Sequence, residues 1–125
     1  VPNVGLTTVS LGLVRALDRE KVAVGFFKPI RQPGETDKER STHFIRAASG
    51  LDPPEPRAFE DAELMLKSGK EAQLLHEIVE DFELAASGHR VIVVEGLQPT
   101  AEYPDLDALN HMIFKALDAE LIIVS

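Results

Sequence analysis

Three short apolar runs limit the folds that this sequence can adopt. None of them alternates polar with apolar side chains, and they cover residues 22–27, 91–94 and 121–124. Strands buried on both faces have this pattern, which is typical of parallel sheets. Apolar residues spaced three and four apart, as in amphipathic helices, occur over residues 6–17, 74–86 and 106–117. Strands that alternate with helices predict an α/β fold, in which helices flank a parallel sheet.

The helix predicted over residues 74–86 has signals at both ends. Ser68 and Glu71 have the spacing of a capping box, in which each side chain accepts a hydrogen bond from the other residue's backbone N–H. Gly88 suits the end of the helix, because glycine readily takes the left-handed conformation found there. We therefore expect this helix to begin directly after Ser68.

A single domain is expected over residues 1–125, since a chain of 125 residues can bury one core. Residues 33–57 are rich in proline, glycine and charge, with one weak helical pattern at 43–48, so we expect a mobile excursion from the sheet there. The chain begins at Val1 instead of methionine and closes in an apolar run. Both features indicate an excerpt from a longer protein, with an incomplete sheet.

Charge and composition exclude several classes of partner. A net charge of -8, with no local run of Lys and Arg, repels nucleic acid and anionic membrane surfaces. No secretory signal is visible, and the apolar runs are far shorter than the roughly 18 residues of a membrane span. The chain contains no cysteine, which excludes disulfides and thiolate metal sites and fits a cytoplasmic protein. No catalytic triad is recognisable, so we assign no catalytic residue.

Gly5, Leu6, Thr7 and Thr8 stand directly before the first helical pattern, where a nucleotide-binding P-loop places its last glycine, its lysine and its hydroxyl residue. Backbone N–H groups at such a helix start hold phosphate oxygens, and the hydroxyl binds Mg²⁺. Leu6 occupies the lysine position and removes the ammonium that would bridge the phosphates. Gly5, Thr7 and Thr8 are thus candidates for a degenerate phosphate site. The alternative is an ordinary helix start capped by threonine.

Lys28 and Glu95 each follow an apolar run directly. Four apolar residues followed by Glu95 match a Walker B strand, whose carboxylate holds Mg²⁺ directly or through water. The carboxyl ends of parallel strands line the ligand crevice of such folds, so Lys28 would supply the positive charge that Leu6 lacks. The alternative for both residues is a charged side chain that turns to solvent where its strand ends.

Thr7, Lys28 and Glu95 together make a more specific prediction than each residue alone. All three stand at helix-start or strand-end positions, which converge on one crevice in a parallel sheet. We expect this crevice to bind phosphate or nucleotide, with Mg²⁺ held by Glu95 and Thr7 beside a nucleotide or a phosphate-bearing metabolite.

Three segments carry a family resemblance. They read Val-Gly-Leu-Thr-Thr-Val-Ser-Leu-Gly at 4–12, Phe-Lys-Pro-Ile-Arg-Gln-Pro at 27–33 and Val-Glu-Gly-Leu-Gln-Pro-Thr at 94–100. In this order they resemble the amino-terminal domain of long-form bacterial phosphate acetyltransferases, or phosphotransacetylases, and Asn110 fits that family's helix before the last strand. This domain is similar to dethiobiotin synthetase and to the amidating synthases of the cobalamin pathway, which share a P-loop NTPase-like α/β fold.

The resemblance implies that Gly5, Thr7, Thr8, Lys28 and Glu95 correspond to the phosphate and Mg²⁺ positions of those synthetases. In long-form phosphate acetyltransferases, acetyl transfer between CoA and phosphate belongs to a carboxy-terminal domain. The amino-terminal domain contributes to assembly and metabolite sensing. The resemblance therefore implies a regulatory or assembly domain in a homo-oligomer. Its partners would be the acetyltransferase domain of the same chain and a small-molecule effector.

Two alternatives remain open. An ATP-dependent synthetase of the dethiobiotin type would use Thr7 and Glu95 for Mg²⁺ and Lys28 for the phosphates, although Leu6 argues against it. A purely structural domain would bind no ligand at all, and Lys28 would then behave as an ordinary surface residue.

Overall fold

The computed structural model describes residues 11–16, 19, 24–34, 40–117 and 122–124. The elements in chain order are β1 (Val24–Phe27), α1 (Arg40–Ser49), α2 (Phe59–Lys67), α3 (Glu71–Ala86), β2 (Val91–Glu95), α4 (Leu106–Leu117) and β3 (Ile122–Val124). Residues 11–16 are also helical. In the part of the chain so described, no helix has the length and apolar character needed to cross a membrane.

The three strands form one parallel sheet in the order β1-β2-β3. All four residues of β1 are buried, as are the last four of β2, so these strands show the unbroken burial expected of a sheet covered on both faces. Phe27 lies opposite Val94 in the register. The next residues along the two strands, Lys28 and Glu95, therefore leave the same edge of the sheet side by side. The predicted α/β fold with a parallel sheet flanked by helices is confirmed.

The core lies on both faces of the sheet. On one face, Phe27 and Val94 pack with Leu74 and Ile78 of α3 and with the apolar stripe of α4. On the other face, Phe26 and its neighbours in the sheet pack with the helical residues 11–16 and with α1. Alternate residues of β1 and β2 thus enter opposite cores, which explains why each of these two strands contains an unbroken apolar run.

The predicted capping box at Ser68 is wrong. Helix α3 begins at Glu71, its N-cap is Lys70, and no side chain caps it. Ser68 instead ends α2, where its backbone N–H donates to the carbonyl of Leu64 over 3.0 Å. Gly69 has a φ of 73°, so the chain turns in a left-handed conformation between the two helices. The prediction for the other end of α3 is confirmed, because Gly88 has a φ of 78°.

Helix α1 and the segment after it form much of the predicted excursion. After α1 the chain returns to the sheet, where Ile30 and Arg57 form a parallel bridge. The guanidinium of Arg57 then donates to Glu77 over 2.8 Å and to Asp81 over 2.9 Å, both in α3. These contacts fasten the end of the excursion beside the carboxyl end of β1. The mobility of residues 33–57 stays a prediction.

Candidate functional site

Lys28 and Glu95 meet at the carboxyl edge of the sheet. The ammonium nitrogen of Lys28 lies 3.4 Å from Oε1 of Glu95 and donates a hydrogen bond to it. The two side chains are 1% and 0% exposed. Neither residue turns to solvent, so the alternative of a solvated strand end does not hold for them. The structure thus places a buried ion pair where parallel sheets bind their ligands.

The attraction within this ion pair and the cost of removing its charges from water are nearly equal. At 3.4 Å the attraction between unit charges is about 5 kcal/mol for an effective dielectric constant of about 20. Removing each ion from water costs several kcal/mol, so the attraction offsets the desolvation without a large surplus. Because Lys28 and Glu95 neutralise each other, an anion that approaches Lys28 competes with Glu95 for its ammonium.

The backbone after Glu95 is held from two sides by amide side chains. Asn110 accepts from the N–H of Leu97 over 2.8 Å and donates to its carbonyl over 2.7 Å. Gln32 accepts from the N–H of Gln98 over 2.9 Å and donates to its carbonyl over 2.7 Å. A carboxamide carries a donor and an acceptor side by side, so each side chain pairs with a residue as a neighbouring strand would. We call these four hydrogen bonds the amide clamp.

The amide clamp joins the parts of the chain that carry the ion pair. Gln32 belongs to the loop after β1, four residues beyond Lys28, and its partner Gln98 belongs to the loop after β2. The side chains of Gln32 and Asn110 are buried, with the whole residues 5% and 6% exposed, so the hydrogen bonds are shielded from water. The two loops are consequently fixed to each other and to α4. Sequence reasoning assigned no role to Gln32 and used Asn110 only as a family match.

Gly96 allows α4 to approach the end of β2. A Cβ atom at this position would lie 3.0 Å from Oδ1 of Asn110 and 3.0 Å from Cζ of Phe114. A side chain here would require Asn110 and Phe114 to shift by a few tenths of an ångström, which would disturb the hydrogen bonds of Asn110. This close approach explains why glycine follows Glu95 at the end of β2.

The remaining candidates, Gly5, Thr7 and Thr8, lie outside the described residues, as does Leu6 at the lysine position. Their phosphate-binding role and the Mg²⁺ role of Thr7 stay predictions. Among the described residues, no group of three or more His, Asp or Glu side chains could hold a metal ion. Glu95 offers Mg²⁺ one carboxylate, whose Oε1 is already bound by Lys28. Mg²⁺ usually takes one or two carboxylates together with phosphate and water oxygens, so Glu95 fits such an ion beside a phosphate ligand.

Comparison with known proteins assigns residues 2–125 to a family described as AAA domain. The phosphate acetyltransferase of Pseudomonas putida is 46% identical over 124 residues, which make up 98% of this chain and 18% of that protein. The same coverage holds for the phosphate acetyltransferases of Nitrosomonas europaea, at 41% identity over 124 residues, and Escherichia coli, at 38% over 125 residues. The chain thus spans about 18% of the length of these curated relatives.

Proposed function

This chain belongs to the AAA domain family, whose fold is P-loop NTPase-like, and we propose that it is a regulatory and assembly domain of a phosphate acetyltransferase. In this proposal a separate carboxy-terminal domain converts acetyl-CoA and phosphate to acetyl phosphate and CoA. That domain is the partner of the one described here, within a cytoplasmic homo-oligomer. The similarity of nearly the whole chain to phosphate acetyltransferases supports the proposal.

The buried pair of Lys28 and Glu95 is the observation that carries the proposed sensing role. A phosphate or carboxylate group that binds Lys28 brings a second anion close to Glu95, and the repulsion between two buried anions favours movement of the ammonium away from Glu95. Binding of an anionic metabolite is therefore coupled to a rearrangement at the strand ends. The amide clamp links those ends to α4, which gives the rearrangement a path to the rest of the domain.

The residue at the lysine position of the loop disfavours the alternative of an ATP-dependent synthetase. Such an enzyme uses its strand-end carboxylate to hold Mg²⁺ and its lysine to hold phosphate, at the same time. Here Leu6 replaces the lysine of the loop, which removes the ammonium that would bridge the phosphates. If Mg²⁺ did bind with a nucleotide, Glu95 and Thr7 would hold it, and the ion would neutralise phosphate charge.

Calorimetric titration tests the sensing role. The chain is titrated with inorganic phosphate, with ATP in the presence and absence of Mg²⁺, and with acetate. We expect at least one of these anions to bind, and the substitution Lys28→Met to weaken that binding about tenfold or more, because a charge-assisted contact to the anion is lost. Lys115→Met is the matched control, since it removes one positive charge from the exposed side of α4.

Three outcomes of the titration are decisive. Equal binding by the wild type and Lys28→Met would contradict the assignment of Lys28. If none of the anions binds, the proposed role of the domain reduces to assembly. ATP hydrolysis that is lost in Glu95→Gln would support the synthetase instead, because only a working Mg²⁺ site depends on that carboxylate.

A further inference from the structure

A groove lies away from the ion pair, between α2 and the turn that precedes α4. This groove has a volume of about 240 Å³. Its apolar lining consists of Phe59, Leu66, Tyr103, Pro104, Leu106 and Leu109. The rings of Phe59 and Tyr103 meet edge to face, with their centroids 4.9 Å apart. Neither Lys28 nor Glu95 lines this groove, so it is a feature separate from the site described above.

Carboxylates stand on both sides of the groove. Glu63 of α2 lines one side, and Glu102 and Asp105 of the turn line the other. The nearby charges raise the pKa of Tyr103 above its usual value, Glu102 most strongly, followed by burial and then by Glu63 and Glu60. The groove therefore combines an apolar lining, which forms its floor, with the negative electrostatic potential of the surrounding carboxylates.

The lysine that pairs with Glu63 is weakly held. Lys67 lies 3.7 Å from Glu63, one helical turn away, and its side chain is 72% exposed. Exposed pairs of this kind contribute little, because water and salt screen them. A ligand cation can consequently replace Lys67 at Glu63 at small cost.

We propose that this groove binds a protein segment in which an arginine or lysine adjoins an apolar side chain. The apolar side chain covers the floor, and the cation meets the carboxylates of Glu63 and Glu102. Arginine fits best, because its planar guanidinium stacks on aromatic rings and forms paired hydrogen bonds with carboxylates. A wholly apolar segment would instead remove water from the carboxylates without replacing it. The net charge of -8 on the chain further favours the approach of a basic partner.

Tyr103 provides a direct probe of the groove, because the chain contains one tyrosine and no tryptophan. We would titrate the chain with a short synthetic peptide of alternating leucine and arginine and record tyrosine fluorescence. We expect a saturable change that weakens as salt is raised.

Matched peptides and variants separate this proposal from general attraction to an acidic protein. Glutamine in place of arginine, or glycine in place of leucine, should weaken binding about fivefold or more. The double variant Glu63→Gln/Glu102→Gln should lose a similar factor. The control Glu80→Gln/Glu83→Gln removes the same charge from exposed positions of α3 and should bind as the wild type does. Circular dichroism would verify that both variants are folded.

Four results would overturn the proposal. These are no saturable change up to about 10 mM peptide, equal binding of the glutamine peptide, equal loss in the two double variants, and binding of methylguanidine alone as tight as that of the peptide. The third result would mean attraction to net charge, and the fourth a site for small cations.

Discussion

Replacement of Lys28 by methionine removes one member of a buried ion pair and leaves the carboxylate of Glu95 without that cation in the interior. Breaking a buried pair in this way costs about 3–5 kcal/mol. The attraction of about 5 kcal/mol at 3.4 Å, for an effective dielectric constant of about 20, gives a consistent value. Since a domain has about 5–15 kcal/mol of stability in total, Lys28→Met should remove a large part of it.

A double-mutant cycle measures this interaction. Urea denaturation followed by far-ultraviolet circular dichroism would be recorded for the wild type, Lys28→Met, Glu95→Met and the double variant. Each single substitution should lower the free energy of unfolding by about 3–5 kcal/mol. The double variant should recover much of the loss, because two apolar side chains of similar volume leave no buried charge.

An exposed pair on α2 serves as the control for this cycle. Lys67 and Glu63 have the same residue types at 3.7 Å but are 72% and 34% exposed, so Lys67→Met and Glu63→Met should each cost less than about 1 kcal/mol. A loss of unfolding free energy in Lys28→Met no larger than that in Lys67→Met would contradict a strong buried ion pair. Additive effects of Lys28→Met and Glu95→Met would contradict it too.

Four further predictions concern packing and ion pairs elsewhere in the domain. Asn110→Ala removes both hydrogen bonds to the backbone of Leu97 and should cost about 2–3 kcal/mol in urea denaturation; an unchanged midpoint would contradict the amide clamp. Gly96→Ala should cost about 1–3 kcal/mol because its Cβ would lie 3.0 Å from two atoms of α4. Gly12→Ala, which has open space in a helical segment, should instead add up to about 1 kcal/mol by the same assay. Arg57→Met should cost about 1 kcal/mol at low salt and less at about 1 M salt, since its half-buried ion pairs are screened.

The sequence predicts the strands and the positions of Lys28 and Glu95 because both depend on local patterns. An unbroken apolar run indicates a buried strand, and the residue after it must stand at the strand end. The distance between the two side chains, in contrast, does not depend on a local pattern. It follows from the register that places Phe27 opposite Val94, and that register joins segments 67 residues apart, so no local pattern specifies it.

Gln32, Asn110 and the turn at Ser68 differ from the sequence predictions for physical reasons. Gln32 lies in a loop, where an amide is usually solvated, and its pairing with Gln98 joins residues that are 66 positions apart in the sequence. Asn110 carried a usable signal, because it occupies the buried stripe of α4 between Leu106 and Ile113, and a polar residue there needs a partner. The capping box failed because the spacing from Ser68 to Glu71 says nothing about a turn that separates two helices.

The geometry at the sheet edge sets a condition on any anionic ligand. A phosphate at Lys28 would face the carboxylate of Glu95 across a few ångströms, and like charges that close repel strongly when buried. The ligand therefore needs either a cation that takes over Glu95 or a movement that separates Lys28 from it. The amide clamp holds the backbone of Leu97 and Gln98 with four hydrogen bonds, so the flexible lysine side chain is the part that can move at least cost. If the domain senses an anion, the rearrangement begins at Lys28, and variants of Asn110 should alter its transmission to α4 more than the binding itself.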